Sequence, residues 1–199
     1  MENTFEYLID ALKSLPGVGT KQAKNIASFL ILKDERYISE FIDRIKKAKE
    51  AIHFCTQCNN MTSNIGLCDI CKDFKRDVTK LCIVNTSEDL IKIDATKDYN
   101  GLFFVLNSEI DTKKNKDIPS SISEKLIKML KLYKFNEITI ATNWTSNGEV
   151  TAVFLKKVIN NSIGQVKIYR LAVGLPINSA LEYADSTTIK HALKNKTEY

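Results

Sequence analysis

Long hydrophobic runs are missing from this sequence. No stretch of about 18 apolar residues occurs, which excludes a membrane-spanning helix. Met1 to Leu12 carries Glu2, Glu6 and Asp10, so the apolar centre of a secretory signal is missing too. The chain therefore reads as cytoplasmic, and the sequon Asn143-Trp144-Thr145 as accidental. A strong charge of either sign is also lacking. The net charge is +5, with 13 Lys/Arg against 11 Asp/Glu in residues 1–80 and 16 against 13 in residues 81–199. No basic tail exists, so nucleic-acid binding would require the fold to gather lysines onto one surface. Cysteine is scarce: five in 199 residues, four of them clustered and Cys82 alone. That is poor arithmetic for a disulfide framework and good arithmetic for a metal site. Long linkers and internal repeats are likewise missing.

What is present has a clear order. Phe5, Leu8, Ile9, Leu12 and Leu15 form a helical stripe. After a turn, a second helix is expected from about Lys21 to Lys33, with Ala23, Ile26, Ala27 and Leu30 inward. A third stripe runs through Ile38, Phe41, Ile42, Ile45, Ala48 and Ile52. From Leu81 the period changes. Leu81–Val84, Leu102–Leu106, Ile138–Ala141 and Val166–Leu171 read as strands, with helices expected after Thr86, over 120–134 and over 148–159. Thr86-x-x-Asp89 has the spacing of a capping box. The fold class is α/β in several parts: a helical unit at 1–53, a four-cysteine finger at 54–77, a mostly parallel α/β domain at 78–172 and a short tail at 173–199.

The turn between the first two helices is Leu15-Pro16-Gly17-Val18-Gly19-Thr20-Lys21. Glycines at Gly17 and Gly19 permit positive φ and close approach. The turn leaves amide N–H groups at the start of a helix, where the dipole favours an anion. Lys21 and Lys24 stand in or near the first turn and would add phosphate contacts. The pattern resembles a helix–hairpin–helix, a sequence-independent grip on the DNA backbone. The plainer reading is an αα-hairpin with a glycine-rich turn.

Cys55-x2-Cys58 and Cys68-x2-Cys71 are separated by nine residues. Two such pairs complete a tetrahedral sulfur shell suited to one structural Zn²⁺. Iron–sulfur ligation and a redox disulfide remain the alternatives. The segment 55–71 has little core of its own and would depend on the metal to fold. His53 reads as a solvated neighbour and Cys82 as a core residue.

Further along come Val84-Asn85-Thr86-Ser87-Glu88-Asp89, Ala141-Thr142-Asn143-Trp144-Thr145-Ser146-Asn147-Gly148-Glu149-Val150-Thr151-Ala152, Gly174-Leu175-Pro176 and Leu181-Glu182-Tyr183-Ala184-Asp185. Together with the hairpin and the cysteines, this order resembles the RecR family of recombination mediators over essentially the whole chain. The resemblance implies a helix–hairpin–helix, a four-cysteine zinc finger, a Toprim domain and a C-terminal tail used in oligomerisation. It implies a homo-oligomer, a tetrameric ring able to encircle DNA. It also implies a cytoplasmic, nucleoid-associated protein that works with RecO, and in some bacteria RecF, in loading a strand-exchange recombinase.

The chain departs from that pattern at several positions. Asn85 stands where the family's first Toprim strand ends in Glu, and Asn147 replaces the first Glu of its Glu-Gly-Glu string. Asn25 stands where a second hairpin basic residue is usual, and Lys24 is about 100° around the helix from it. The family's Gly-rich loop after the second Toprim strand is replaced by a polar segment with Lys113, Lys114 and Lys116. That run reads as a solvated loop, with phosphate contact as the other reading. Catalytic Toprim sites need convergent carboxylates for Mg²⁺, and an Asn carbonyl is a poor substitute. No catalytic residues are therefore expected. Asp89 and Glu149 are candidates for RecO docking by resemblance, against a helix cap and a solvated first-turn acid. Two rivals from other classes are a Mg²⁺-dependent Toprim nuclease or primase-like enzyme, and a protein-interaction module without DNA binding.

Overall fold

A computed structural model of the chain describes residues 2–175, 177–178, 180–196 and 198. It divides into two compact units, residues 1–52 and 53–199.

The first unit is helical: α1 (Glu2–Lys13), α2 (Thr20–Ile31) and α3 (Glu35–Ala51). Ile9 of α1 seats on Ala23 and Ala27, ringed by Leu8, Leu12 and Val18. Two alanines four apart put one smooth face on α2, and Ile9 is buried by it. The α3 helix starts at Asp34, whose carboxylate accepts from the Tyr37 amide at 2.7 Å. Its apolar stripe is where the sequence places it, yet no residue of α3 is buried. Phe41, Ile42 and Ile45 remain exposed.

The second unit opens with a small antiparallel hairpin, β1 (His53–Phe54) and β2 (Met61–Thr62), and a single helical turn, α4 (Asp69–Lys72). Then β3 (Asp77–Val84), α5 (Ser87–Ala95), β4 (Gly101–Val105), α6 (Ser120–Leu132), β5 (Glu137–Ala141), α7 (Ser146–Ile163) and β6 (Lys167–Arg170) alternate. The four strands form one parallel sheet in the order β4-β3-β5-β6. A short 3₁₀ turn (Leu181–Tyr183) and α8 (Ser186–Lys194) close the chain.

A parallel sheet is covered on both faces, so β4 and the second half of β3 are buried without alternation, while β5 and the edge strand β6 keep alternate, less buried positions. Leu81 and Ile83 point to the side of Leu126, Met129 and Leu130 from α6 and Leu155 and Ile159 from α7. Cys82 and Val84 point to the side of Leu90 from α5, with Ile70 of α4 against them. Burying each large side chain contributes about 1.5–3 kcal/mol before the entropy of ordering it is subtracted. The strands nearest the centre, β3 and β5, diverge to opposite sides in their connections. Their carboxyl ends, at Asn85 and Thr142, form the switch point where open α/β sheets hold ligands.

Candidate functional site

The four cysteines converge. Cys55, Cys58 and Cys68 are buried and Cys71 half-buried, with all four sulfurs within 4.8 Å of one another. The Sγ atoms of Cys58 and Cys68 are 3.5 Å apart, and the Cys68 amide donates to Cys55 Sγ at 3.4 Å. A tetrahedral zinc with Zn–S near 2.3 Å requires sulfurs about 3.8 Å apart, and this cluster fits that shell. All five cysteines are free thiols. Hydrogen bonds from Cys58, Cys68 and Cys71 hold the Cys55 thiol far below its ordinary value. The same crowding, with Cys55 first, pushes Cys71 far above it. Four sulfurs this close cannot all become thiolates without a cation, so the cluster can hold a metal ion. Cys82 lies apart in the sheet, pushed up to about 12 by burial, an unreactive core thiol.

The knuckle is joined to the sheet through Asn59, which takes a left-handed φ of 62° between the first cysteine pair and β2. The residue is 3% exposed. Asn59 Nδ2 donates to the Val105 carbonyl at 2.8 Å, and Lys125 Nζ donates to Asn59 Oδ1 at 3.0 Å. The Val105 amide in turn donates to the Cys58 carbonyl at 2.8 Å. Among the described residues, the edge of β4 at Val105 is thus capped by the cysteine knuckle rather than by another strand.

At the hairpin, Gly17 adopts φ +77°, which an L side chain takes only under strain. Gly19 is extended at φ −81° and forms the N-cap of α2, its amide donating to Gln22 Oε1 at 3.2 Å. Among the described residues no acceptor takes the amides of Thr20, Lys21 or Gln22, the open donors every helix start leaves. Lys21 and Lys24 are exposed and belong to no ion pair among the described residues.

The carboxyl end of the sheet carries the remaining candidates, each already engaged. Asp89 Oδ2 accepts from the Thr86 amide at 3.0 Å and its hydroxyl at 2.8 Å, while the Asp89 amide donates to Thr86 Oγ1 at 3.1 Å. That is the capping box its spacing predicts. Glu149, at the start of α7, is paired with Arg170 of β6. Arg170 also donates to the Ile140 carbonyl at 3.1 Å, the Thr142 carbonyl at 3.2 Å and Thr142 Oγ1 at 2.6 Å. Its guanidinium stacks 4.6 Å from the Trp144 ring, whose other neighbour is His191 of α8 at 5.9 Å.

Asn85 is buried, and its Nδ2 donates to Glu109 Oε1 at 2.8 Å. Glu109, in the polar loop after β4, escapes sequence reading because nothing local marks a contact across 24 positions. A carboxylate thus lies beside the position where Asn85 lacks one. The loop lysines Lys113, Lys114 and Lys116 are exposed, and Asp111 organises their turn. Gly148 brings α7 onto this edge, since a Cβ there would lie 2.0 Å from the Asn143 carbonyl oxygen. Among the described residues, the cysteines are the only group of three or more Cys, His, Asp or Glu side chains close enough to share an ion. No described helix is long and apolar enough to cross a membrane.

Comparison with known proteins gives matches along nearly the whole chain. Residues 5–49 match the family described as RecR, helix-hairpin-helix, residues 79–172 the Toprim domain, and residues 174–197 RecR, C-terminal. The Recombination protein RecR of Ureaplasma urealyticum serovar 10 is 48% identical over 193 residues, covering 96% of this chain and 94% of that protein. The protein of the same name from Endomicrobium trichonymphae is 37% identical, covering 97% and 96%. That of Lactococcus lactis subsp. cremoris is 36% identical, covering 96% and 95%.

Proposed function

This chain belongs to the RecR family of recombination proteins, and from that premise we propose that it is a DNA-binding mediator of recombinational repair that performs no bond chemistry of its own. It grips the sugar–phosphate backbone through the α1–α2 turn. The open amides of Thr20, Lys21 and Gln22 face an anion, and the Lys21 and Lys24 ammonium groups neutralise phosphates without reading bases. Binding is sequence-tolerant and falls steeply with salt.

The observation that carries the non-enzymatic reading is the dispersal of the Toprim acids. Asp89 caps its own helix, Glu149 is held by Arg170, Glu109 of the loop after β4 is held by Asn85, and Glu88 is left as an exposed acid. A two-metal phosphoryl-transfer site needs carboxylates free to converge on the ions. The cysteine cluster holds one structural Zn²⁺, with all four positions filled by sulfur and none open to substrate. The exposed stripe of α3 and the C-terminal tail make the contacts of a homo-oligomer, a tetrameric ring around DNA. RecO, and where it exists RecF, docks on the Toprim edge near Asp89 and Glu149.

The test is fluorescence anisotropy of a labelled duplex across a salt series, with wild type and Lys21→Glu/Lys24→Glu. The wild type binds at low salt, and the variant loses most of that affinity and about two units of log–log salt slope. Equal affinity for the two proteins would support the protein-interaction module instead. Mg²⁺-dependent cleavage of the duplex would support the nuclease.

A further inference from the structure

Between the finger and α6 lies a cleft of about 240 Å³. Gln57, from the turn between the first two cysteines, and Leu67, just before the third, form one wall. Lys125, Lys128, Met129 and Leu132 of α6 form the other. No acid lines it. Its polar groups include donors, the ammonium groups of Lys125 and Lys128 and Gln57 Nε2, beside the Thr56 hydroxyl and the Gln57 carbonyl oxygen, which can accept. Lys125 is fixed in place by its bond to Asn59 Oδ1, which leaves two ammonium protons to point elsewhere. Gln57 Nε2 is buried with no acceptor, an amide that loses free energy until something accepts from it. Lys128 stands at the exposed rim.

The cations continue beyond the cleft. Helix α6 carries Lys125, Lys128 and Lys131 against the single acid Glu124, and Lys134 follows the helix. Among the described residues none of these four lysines has an ion-pair partner. From Lys125 to Lys131 the helix rises about 9 Å, a row of positive charge along one direction.

The cleft is smaller than the roughly 300–1,000 Å³ that encloses a drug-sized molecule. Its occupant is therefore one unit of something longer, anionic where it meets the donors and apolar where it meets Leu67, Met129 and Leu132. A charge repeated at short intervals along the occupant would also match the row on α6. We propose that this finger–α6 cleft is a second nucleic-acid contact. It would seat one sugar–phosphate unit of a single strand, with Lys128 and Lys131 neutralising successive phosphates. The site rests on the reading of this chain as a DNA-binding protein. It also depends on the metal, because the Gln57 and Leu67 wall lies on the turns that the cysteines close.

The experiment uses the full metal-loaded chain and a fluorescein-labelled oligothymidylate, with anisotropy read across a salt series. Lys128→Gln/Lys131→Gln removes two exposed cations. Lys92→Gln/Lys157→Gln removes two exposed cations elsewhere on the same unit and serves as control. Two lost phosphate contacts lower the salt slope by about 1.4 and weaken binding roughly 25-fold at 0.1 M salt when the 1 M intercept is unchanged. The control pair should move the slope far less, and Gln57→Ala should weaken binding with little change of slope. An unchanged slope in Lys128→Gln/Lys131→Gln, or one equal to the control's, overturns the proposal while leaving hairpin binding intact. Full displacement of the oligonucleotide from the cleft by a short acidic peptide with an apolar carboxyl terminus, at equal concentration, also overturns it in favour of a protein partner. If the wild type retains no oligonucleotide even in dilute buffer, this proposal and the functional reading fall together.

Discussion

Replacing Arg170 with Met separates the structural role of the guanidinium from that of its exposed acidic partner. The methionine keeps much of the aliphatic stem, so the loss is confined to the charged head. That head donates to the Ile140 and Thr142 carbonyls and to Thr142 Oγ1. Thr142 is 4% exposed, so water cannot readily replace the donor. A charge-assisted bond to a buried acceptor is worth about 1.5–3 kcal/mol, and bonds sharing one donor group do not add fully. Stacking on half-exposed Trp144 adds about 0.5–1 kcal/mol. The Glu149 pair adds little, because that carboxylate is 49% exposed and screened. Arg170→Met should therefore cost about 2–4 kcal/mol, whereas Glu149→Gln should cost less than about 1 kcal/mol. Trp144 is the only tryptophan in the chain and touches Arg170, so its emission follows unfolding of this unit alone. With a urea dependence near 2 kcal/mol per molar, the midpoint for Arg170→Met should fall by about 1–2 M. Equal losses for the two variants, or an unmoved midpoint and emission in Arg170→Met, would refute this division.

Three further outcomes follow from the geometry. Gly148→Ala places a methyl group 2.0 Å from the Asn143 carbonyl oxygen. It should destabilise the unit by about 1–3 kcal/mol or more in the same assay, and a change under about 0.5 kcal/mol would mean the turn is looser than it looks. A metal ion in the four-cysteine cluster would be held by thiolates, so protons would compete with it. Lowering the pH should release the ion to a chromophoric chelator and expose residues 53–76 to protease, and Cys58→Ser should do so at neutral pH. The Asp185 carboxyl is held below the usual range by the Thr188 hydroxyl and the amides of Thr188 and Thr187. Its capping of α8 is thus fully present above the ordinary carboxylate value and fades as pH falls through that value toward the lowered one. Hydrogen exchange at α8 amides should accelerate over that acid range in the wild type and be fast throughout in Asp185→Ala.

Much of the sheet is legible in the sequence because strands buried on both faces write themselves as unbroken apolar runs. Leu81–Val84 and Leu102–Val105 are such runs, and the Thr86–Asp89 box marks the helix between them. The cysteine spacing likewise points to the cluster, since two short turns leave few other places for four thiols. Helix α8 is harder to read because its nine residues offer only Ile189, Ala192 and Leu193 as apolar positions, too short a stripe to mark a helix by period. The stripe of α3 announces a helix but not what covers it, for amphipathicity records that a face wants burial and not by what. Contacts across long separations were illegible for a different reason. Glu109 beside Asn85, Lys125 on Asn59 and Arg170 between Thr142, Glu149 and Trp144 depend on strand order, which no local window contains. Those contacts decide how the Toprim edge uses its acids, so they bear most on function.

Native mass spectrometry of the purified chain with a short duplex and Mg²⁺ tests the central claim most directly. The prediction is a multiple of the chain mass carrying one zinc per subunit and one intact duplex. Isolated chains without DNA, or a duplex recovered shortened or extended, would contradict it.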